Sequence, residues 1–198
     1  MSRRATIDRR TAETQIHLEL ELDGALGAGE RSSGIGFFDH MLDLFAKHAG
    51  FTLALQAVGD LQTGAHHTVE DTAIALGRAL DLALGDRAHI ARYGWAVIPM
   101  DEARASCAID ISGRPFALVE GQVPPGRTGG FEHELTQEFV RALASAAKIT
   151  VHLQLLAGSN AHHIIEAAFK ALARALRAAV AIDAREPSVP STKGTLTS

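Results

Sequence analysis

Two short stretches of this chain carry the same chemistry. His66-His67 is followed by Glu70, and His162-His163 by Glu166, each in the order H-H-x-x-E. Imidazole and carboxylate groups gathered in this way hold divalent cations. On a helix the first His and the Glu are i and i+4 and share a face. The second His is turned away by about 100°. One ion cannot easily take both histidines and the glutamate from one helix, so two copies suit two ions. The spacing groups His66 and Glu70 around one ion and His162 and Glu166 around the other. His67 and His163 then each cross to the opposite ion. Nitrogen and carboxylate donors without thiolate suit Mn2+, Fe2+ or Zn2+, and octahedral Mn2+ leaves positions open for a substrate.

The two motifs belong to a longer repeat. Residues 40–80 align with residues 138–176. Thr52 falls on Thr150, Leu55 on Leu153 and Gln56 on Gln154. After a two-residue gap the H-H-x-x-E motifs coincide. Upstream, residues 15–24 lie opposite 103–113, which puts Glu13 opposite Glu102. The register also sets His40 opposite Glu138, the natural fourth ligands. His40 would join His67, His162 and Glu166; Glu138 would join His66, Glu70 and His163. The chain reads as two fused halves, 1–92 and 93–186, with a tail at 187–198.

Periodicity supplies the elements that must position these groups. Leu18, Leu20 and Leu22 alternate with His17, Glu19 and Glu21, as in a strand buried on one face. Residues 51–58 and 149–156 alternate similarly. Residues 66–84 and 162–182 have helical spacing, and shorter helices are expected over 38–48 and 133–147. Each half is then a small sheet with helices on one face, an α+β fold. The connection between halves is expected near Ala91 to Met100. Gly121 to Gly130 is a turn-rich loop. The tail after Glu186 has turn composition and is expected to be flexible unless something holds it.

Composition narrows the function classes. The chain has 198 residues, 46% apolar, a formal net charge of −4 and one cysteine, Cys107. There is no basic field for nucleic acid and no thiol framework for disulfides or a cysteine zinc site. A reducing cytoplasm is the simplest compartment. No secretory signal is expected at the start, and no apolar run reaches the ~18 residues of a membrane span. Ten histidines stand against one Trp and one Tyr. Those without a repeated partner, His17, His48, His89 and His133, read as solvated or hydrogen-bonded surface groups. His152 replaces Ala54 of the first half and is expected beside the site, hydrogen-bonded behind a ligand.

Gly36-Phe37-Phe38-Asp39-His40-Met41-Leu42, both H-H-x-x-E motifs, Pro99-Met100-Asp101-Glu102-Ala103, Gly158-x-Asn160, Phe169-Lys170-Ala171 and Pro190-Ser191-x-Lys193-Gly194 resemble the imidazoleglycerol-phosphate dehydratases. The match runs from Arg10-Thr11-x-Glu13-Thr14 to the tail. The resemblance implies duplicated halves of the ribosomal protein S5 domain 2-like fold. It implies a lyase of histidine biosynthesis that converts D-erythro-imidazole glycerol phosphate to imidazole acetol phosphate. It further implies two Mn2+ per active site, the substrate ring held between them as an imidazolate, and a 24-subunit assembly with sites between subunits. The family's ligand positions fall on His40, His66, His67, Glu70, His162, His163 and Glu166. The eighth falls on Glu138, where several members carry His. Glu138 is then either a substitute ligand or the mark of a differently tuned site.

Other roles follow from the same resemblance. Glu13 is the first candidate for acid-base work, with Glu102 and Asp101 next, and Glu70 and Glu166 joining the catalytic carboxylates. Arg92, Arg114, Lys170, Ser191 and Lys193 match phosphate-binding positions, with Glu13 also touching substrate. Two other functions compete on the ligands alone: a dinuclear metallohydrolase, and an S5-like RNA binder with structural metals. The acidic balance and scarce aromatics weigh against the second.

Overall fold

The structure is a computed structural model that describes residues 2–196; Met1 and the last two residues of the tail lie outside the described residues. The first half runs β1 (Arg4–Arg10), β2 (Thr14–Glu21), β3 (Arg31–Ser32), α1 (Gly36–Ala49), β4 (Thr52–Gly59) and α2 (His66–Leu84). The second runs β5 (Tyr93–Met100), β6 (Ala103–Asp110), β7 (Phe116–Glu120), β8 (Arg127–Thr128), β9 (Phe131–Glu132), α3 (Leu135–Ala147), β10 (Thr150–Ala157) and α4 (Ala161–Ala179).

The halves repeat one topology. The first sheet has the order β1-β2-β4-β3 and the second β5-β6-β10-β7. In each, two antiparallel pairings are followed by one parallel edge strand. Alternate residues of β2 and β6 are buried, as period-2 apolar patterning requires. The helices lie between the sheets. α2 packs on β1 and β2, and α4 on β5 and β6. The helices also pack across the halves, α2 on α3 and α1 on α4, so both halves share one buried apolar cluster. These contacts are close. A Cβ on Gly94 of β5 would stand 2.0 Å from the Ala175 carbonyl oxygen of α4.

Three expectations differ from the structure. The segment expected to connect the halves is mostly β5, an edge strand paired only to β6. Pro99 is tolerated there because an edge strand has a side with no ladder to break. His152 is not beside the ligands. It sits on the outer face of the second sheet, its ring 5.8 Å from that of Phe116, because Val151 and Leu153 take the inner face. The tail is not loose over 187–196, since Leu196 is buried and Arg92 Nη1 donates to the Pro190 carbonyl at 2.8 Å. Among the described residues no helix is long and apolar enough to cross a membrane.

Candidate metal centre

α4 presents two ligands because Asn160 starts it. The Asn160 side chain accepts the backbone N–H groups of His162 and His163, at 2.9 and 3.4 Å, the usual chemistry of a helix N-cap. His162 and Glu166 then share one face, with Nε2 and Oε2 3.2 Å apart. α1 packs beside α4 and adds His40, whose Nε2 is 3.7 Å from Glu166 Oε2. One ligand atom from each of His40, His162 and Glu166 falls within 4.8 Å of the others. The edge of Phe37 supports the His162 ring from 5.0 Å.

Glu166 is buried, which by itself favours its neutral form. Lys170 Nζ donates to Oε1 at 2.5 Å, and His162 and His40 add further favourable partners. Together they hold the carboxyl below its ordinary range. Two imidazole nitrogens and an ionised carboxylate, with no thiolate, fit a divalent ion of the Mn2+, Fe2+ or Zn2+ kind.

The pseudo-equivalent group on α2 and α3 is more open. His66 Nε2 and Glu70 Oε2 are 3.8 Å apart. Glu70 and Glu138 line one cleft between the helices, together with Arg78 and Arg141. Glu138 does not close to ligand distance with His66 and Glu70 in one chain; among the described residues only the His40 group does so.

His67 and His163 face neither group. His67 Nδ1 is 3.0 Å from Asp60 Oδ2, and its Nε2 is 3.7 Å from Glu13. His163 Nδ1 is 2.7 Å from Glu102 Oε2, and its Nε2 is 3.8 Å from Asp101. Each imidazole is pushed above its ordinary pKa, chiefly by the hydrogen bond at Nδ1. Such carboxylate–imidazole pairs fix the ring and direct the other nitrogen outward. The expected crossing of His67 and His163 to the opposite ions therefore does not occur within one chain.

Glu102 is fully engaged. Its Oε1 accepts the backbone N–H groups of Asn160 at 2.8 Å and Ser159 at 3.1 Å. These bonds and His163 bring its carboxyl down to about 2. Glu13, its partner in the repeat, keeps a half-exposed side chain whose one ion-pair contact among the described residues is the 3.7 Å approach to His67.

The expected phosphate groups divide between two ends of the second sheet. At one end Arg92 grips Asp110 through Nε (2.7 Å) and Nη2 (3.2 Å), and Arg114 approaches the same carboxylate at 3.8 Å. Arg92 also holds Pro190, next to Ser191 and Lys193. Lys170 lies at the other end, where its Nζ meets Glu166 and Met100, the last residue of β5. Eight residues of strand separate Arg92 from that end, about 25 Å of extended chain.

Some residues of the site carry no signal in the repeat. Asp60 falls opposite Gly158, where the two halves stop matching. Asp71 follows Glu70 and faces Ala167 in the second half. It is buried, accepting Arg9 Nη2 and Thr14 Oγ1, each at 2.5 Å, and so ties the β1–β2 turn that carries Glu13 to α2. Asn160 is a residue type favoured at helix N-caps and stands two residues before the first His of its motif, a signal that could have marked it.

Comparison with known proteins agrees with this geometry. The family description for imidazoleglycerol-phosphate dehydratase matches residues 33–176. The imidazoleglycerol-phosphate dehydratase of Moorella thermoacetica is 52% identical over 196 residues, covering 99% of this chain and all of the relative. The solved structure of the enzyme from Pyrococcus furiosus superposes with a TM-score of 0.82 at 40% identity, over 96% of this chain and 100% of that one. The Staphylococcus aureus enzyme gives the same TM-score at 37% identity, over 91% and 99%. The chain, with its paired H-H-x-x-E helices, belongs to the imidazoleglycerol-phosphate dehydratase family.

Proposed function

We propose that this protein dehydrates D-erythro-imidazole glycerol phosphate to imidazole acetol phosphate, a step of histidine biosynthesis. The observation that carries this reading is the convergence of His40, His162 and Glu166, in a member of this family. Two Mn2+ per active site fit the donors. His40, His162 and Glu166 would hold one ion, and His66, Glu70 and Glu138 the other, with His67 and His163 reaching sites completed by neighbouring copies. When bound, the ions would hold the substrate ring as an imidazolate and orient its side chain.

The protein's own groups perform the rest. The hydroxyl leaves the carbon attached to the ring, and a proton leaves the next carbon; the resulting enol becomes the ketone. No carbonyl neighbours that proton, so a positioned base is needed. Glu13 takes this role, because it is half-exposed and lightly partnered. Glu102 instead orients His163, its lone pairs being already engaged. Asp101 sits in the β5–β6 turn beside it, a second candidate for moving a proton. Lys170 keeps Glu166 ionised and brings a cation for the substrate phosphate. Arg92, Arg114, Ser191 and Lys193 complete the phosphate subsite.

A homo-24-mer is part of the same reading. Within one chain Lys170 lies far from Arg92 and the tail, and His67 and His163 turn away from both ligand groups. The outer face of the second sheet exposes Trp95, Val97 and Phe116, an apolar surface of the kind that oligomers cover. A cytoplasmic location suits a biosynthetic enzyme with one buried free thiol. The test is to incubate the manganese-loaded protein with imidazole glycerol phosphate and follow the ketone product. Steady turnover is expected, and a Glu13→Gln variant that folds but turns over at the full rate would remove Glu13 from the mechanism.

A further inference from the structure

Arg87 is the largest fully buried side chain among the described residues. A guanidinium out of water needs partners, and both Nη groups of Arg87 have them while its buried Nε has none among the described residues. Arg87 Nη2 donates to Asp81 Oδ1 on α2 at 2.5 Å and to the Ala147 carbonyl at the end of α3 at 3.1 Å. Its Nη1 donates to the carbonyl of Lys148 and to that of Leu196, each at 3.2 Å. Asp81 also takes Lys148 Nζ at 2.9 Å, so one carboxylate serves two cations and neutral backbone carbonyls supply the rest of the guanidinium's partners. The last of these acceptors belongs to the C-terminal tail, more than a hundred residues away in sequence.

Leu196 is seated as well as bonded. Its residue is 5% exposed, in a tail otherwise mostly exposed. Its carbonyl passes directly over Gly113, where a Cβ would stand 2.0 Å from the oxygen. Gly113 has φ 75°, so two separate features there favour glycine. Upstream, the tail is fixed again. His89 Nδ1 bonds the Glu186 carbonyl at 2.9 Å, and Arg92 holds Pro190. Between the two fixed points the chain turns back on itself. Lys193 N donates to Ser191 Oγ at 3.2 Å, and Gly194 N to the Ser191 carbonyl at 3.0 Å.

We propose that Arg87 and Leu196 form the far anchor of the phosphate-binding tail and so act as positioning residues for Ser191 and Lys193. The inference rests on the reading of that tail as a phosphate subsite. A loop held at one end must lose its freedom when it meets the ligand. A loop held at both ends has lost much of it already, and the ligand is bound more tightly for that reason. Arg87 also links the tail to the ends of α2 and α3, the two helices that carry His66, Glu70 and Glu138.

The test uses the manganese-loaded enzyme in three variants: Arg87→Met, Leu196→Ala and Lys193→Ala. Leu196→Ala leaves the Arg87–Asp81 pair untouched and guards against an Arg87 variant that fails to fold. Tryptic cleavage after Lys193 reports the tether without reference to activity. Arg87→Met and Leu196→Ala should each speed that cleavage and raise KM for imidazole glycerol phosphate by about tenfold, with kcat within about twofold. A structural role alone would lower the melting temperature without splitting KM from kcat. Wild-type cleavage and KM in Leu196→Ala would overturn the anchor. Faster cleavage with an unchanged KM would overturn its link to binding. Lys193→Ala tests the subsite separately: if its KM is that of the wild type, the tail does not bind phosphate and the proposal falls with that reading.

Discussion

Glu102 Oε2 stands 2.7 Å from His163 Nδ1, while Glu102 Oε1 is held by the first backbone N–H groups before α4. One carboxylate thus fixes both the start of a ligand-bearing helix and the rotamer of a histidine upon it. Glu102→Ala should lower Mn2+ affinity by about 10- to 100-fold, the usual effect of losing such a partner. Titration of the metal-stripped variant by calorimetry checks this. Unchanged affinity would mean that His163 needs no orienting group.

Asp71 makes the corresponding connection in the first half. It accepts from Arg9 and Thr14 in a site nearly closed to water. Asp71→Ala leaves part of the Arg9 guanidinium without a partner and the Thr14 hydroxyl with Thr11 Oγ1 alone, at 3.2 Å. The expected cost is about 3 kcal/mol in denaturant unfolding. Because the same turn carries Glu13, kcat should fall as well. A loss of stability with kcat preserved would separate Asp71 from the placement of Glu13.

At Gly94 the backbone of α4 lies directly against the second sheet. A methyl group at that position meets the Ala175 carbonyl oxygen at 2.0 Å and the Ala179 nitrogen at 2.6 Å. Both are backbone atoms and cannot swing aside. Gly94→Ala should therefore cost about 3 kcal/mol, read as a lowered melting temperature. A neutral Gly94→Ala would show that α4 can ride outward without loss.

Cys107 gives a pH dependence whose sign can be worked out. Burial pushes its thiol from 9.0 up to about 12. Between those values the unfolded chain ionises at this position and the folded chain does not. The unfolded state then binds fewer protons, so stability falls as pH rises from about 9 to 12. Below pH 9 the thiol is neutral in both states and contributes no slope. Cys107→Ala should lack this part of the alkaline loss, measured by urea unfolding of the two proteins side by side. Equal slopes would contradict the assignment.

The repeat made the ligand-bearing parts of this chain legible. The expected helix 66–84 coincides with α2, and the second motif opens α4 as its periodicity requires. What the pattern could not carry was the side toward which each second histidine turns. That depends on Asp60 and Glu102, and Asp60 stands where the halves no longer align. Edge strands were also obscure. β1 alternates half-buried and exposed residues with none fully buried, and β5 contains Pro99, so neither has the clean signature of β2. His152 was misread because its departure from the repeat suggested function, while strand alternation had already assigned it to the outer face. The tail looked flexible by composition, since the residues that hold it, Arg87, His89 and Arg92, lie far away in the sequence.

If the two repeated motifs build a metal-dependent dehydratase, turnover must follow metal content. The most direct measurement is the formation of imidazole acetol phosphate by one preparation, first stripped of metal by a chelator and then reloaded with Mn2+. Turnover should be lost on stripping and return with added Mn2+, and Glu166→Gln should not recover. Full turnover in the metal-free protein would contradict that dependence.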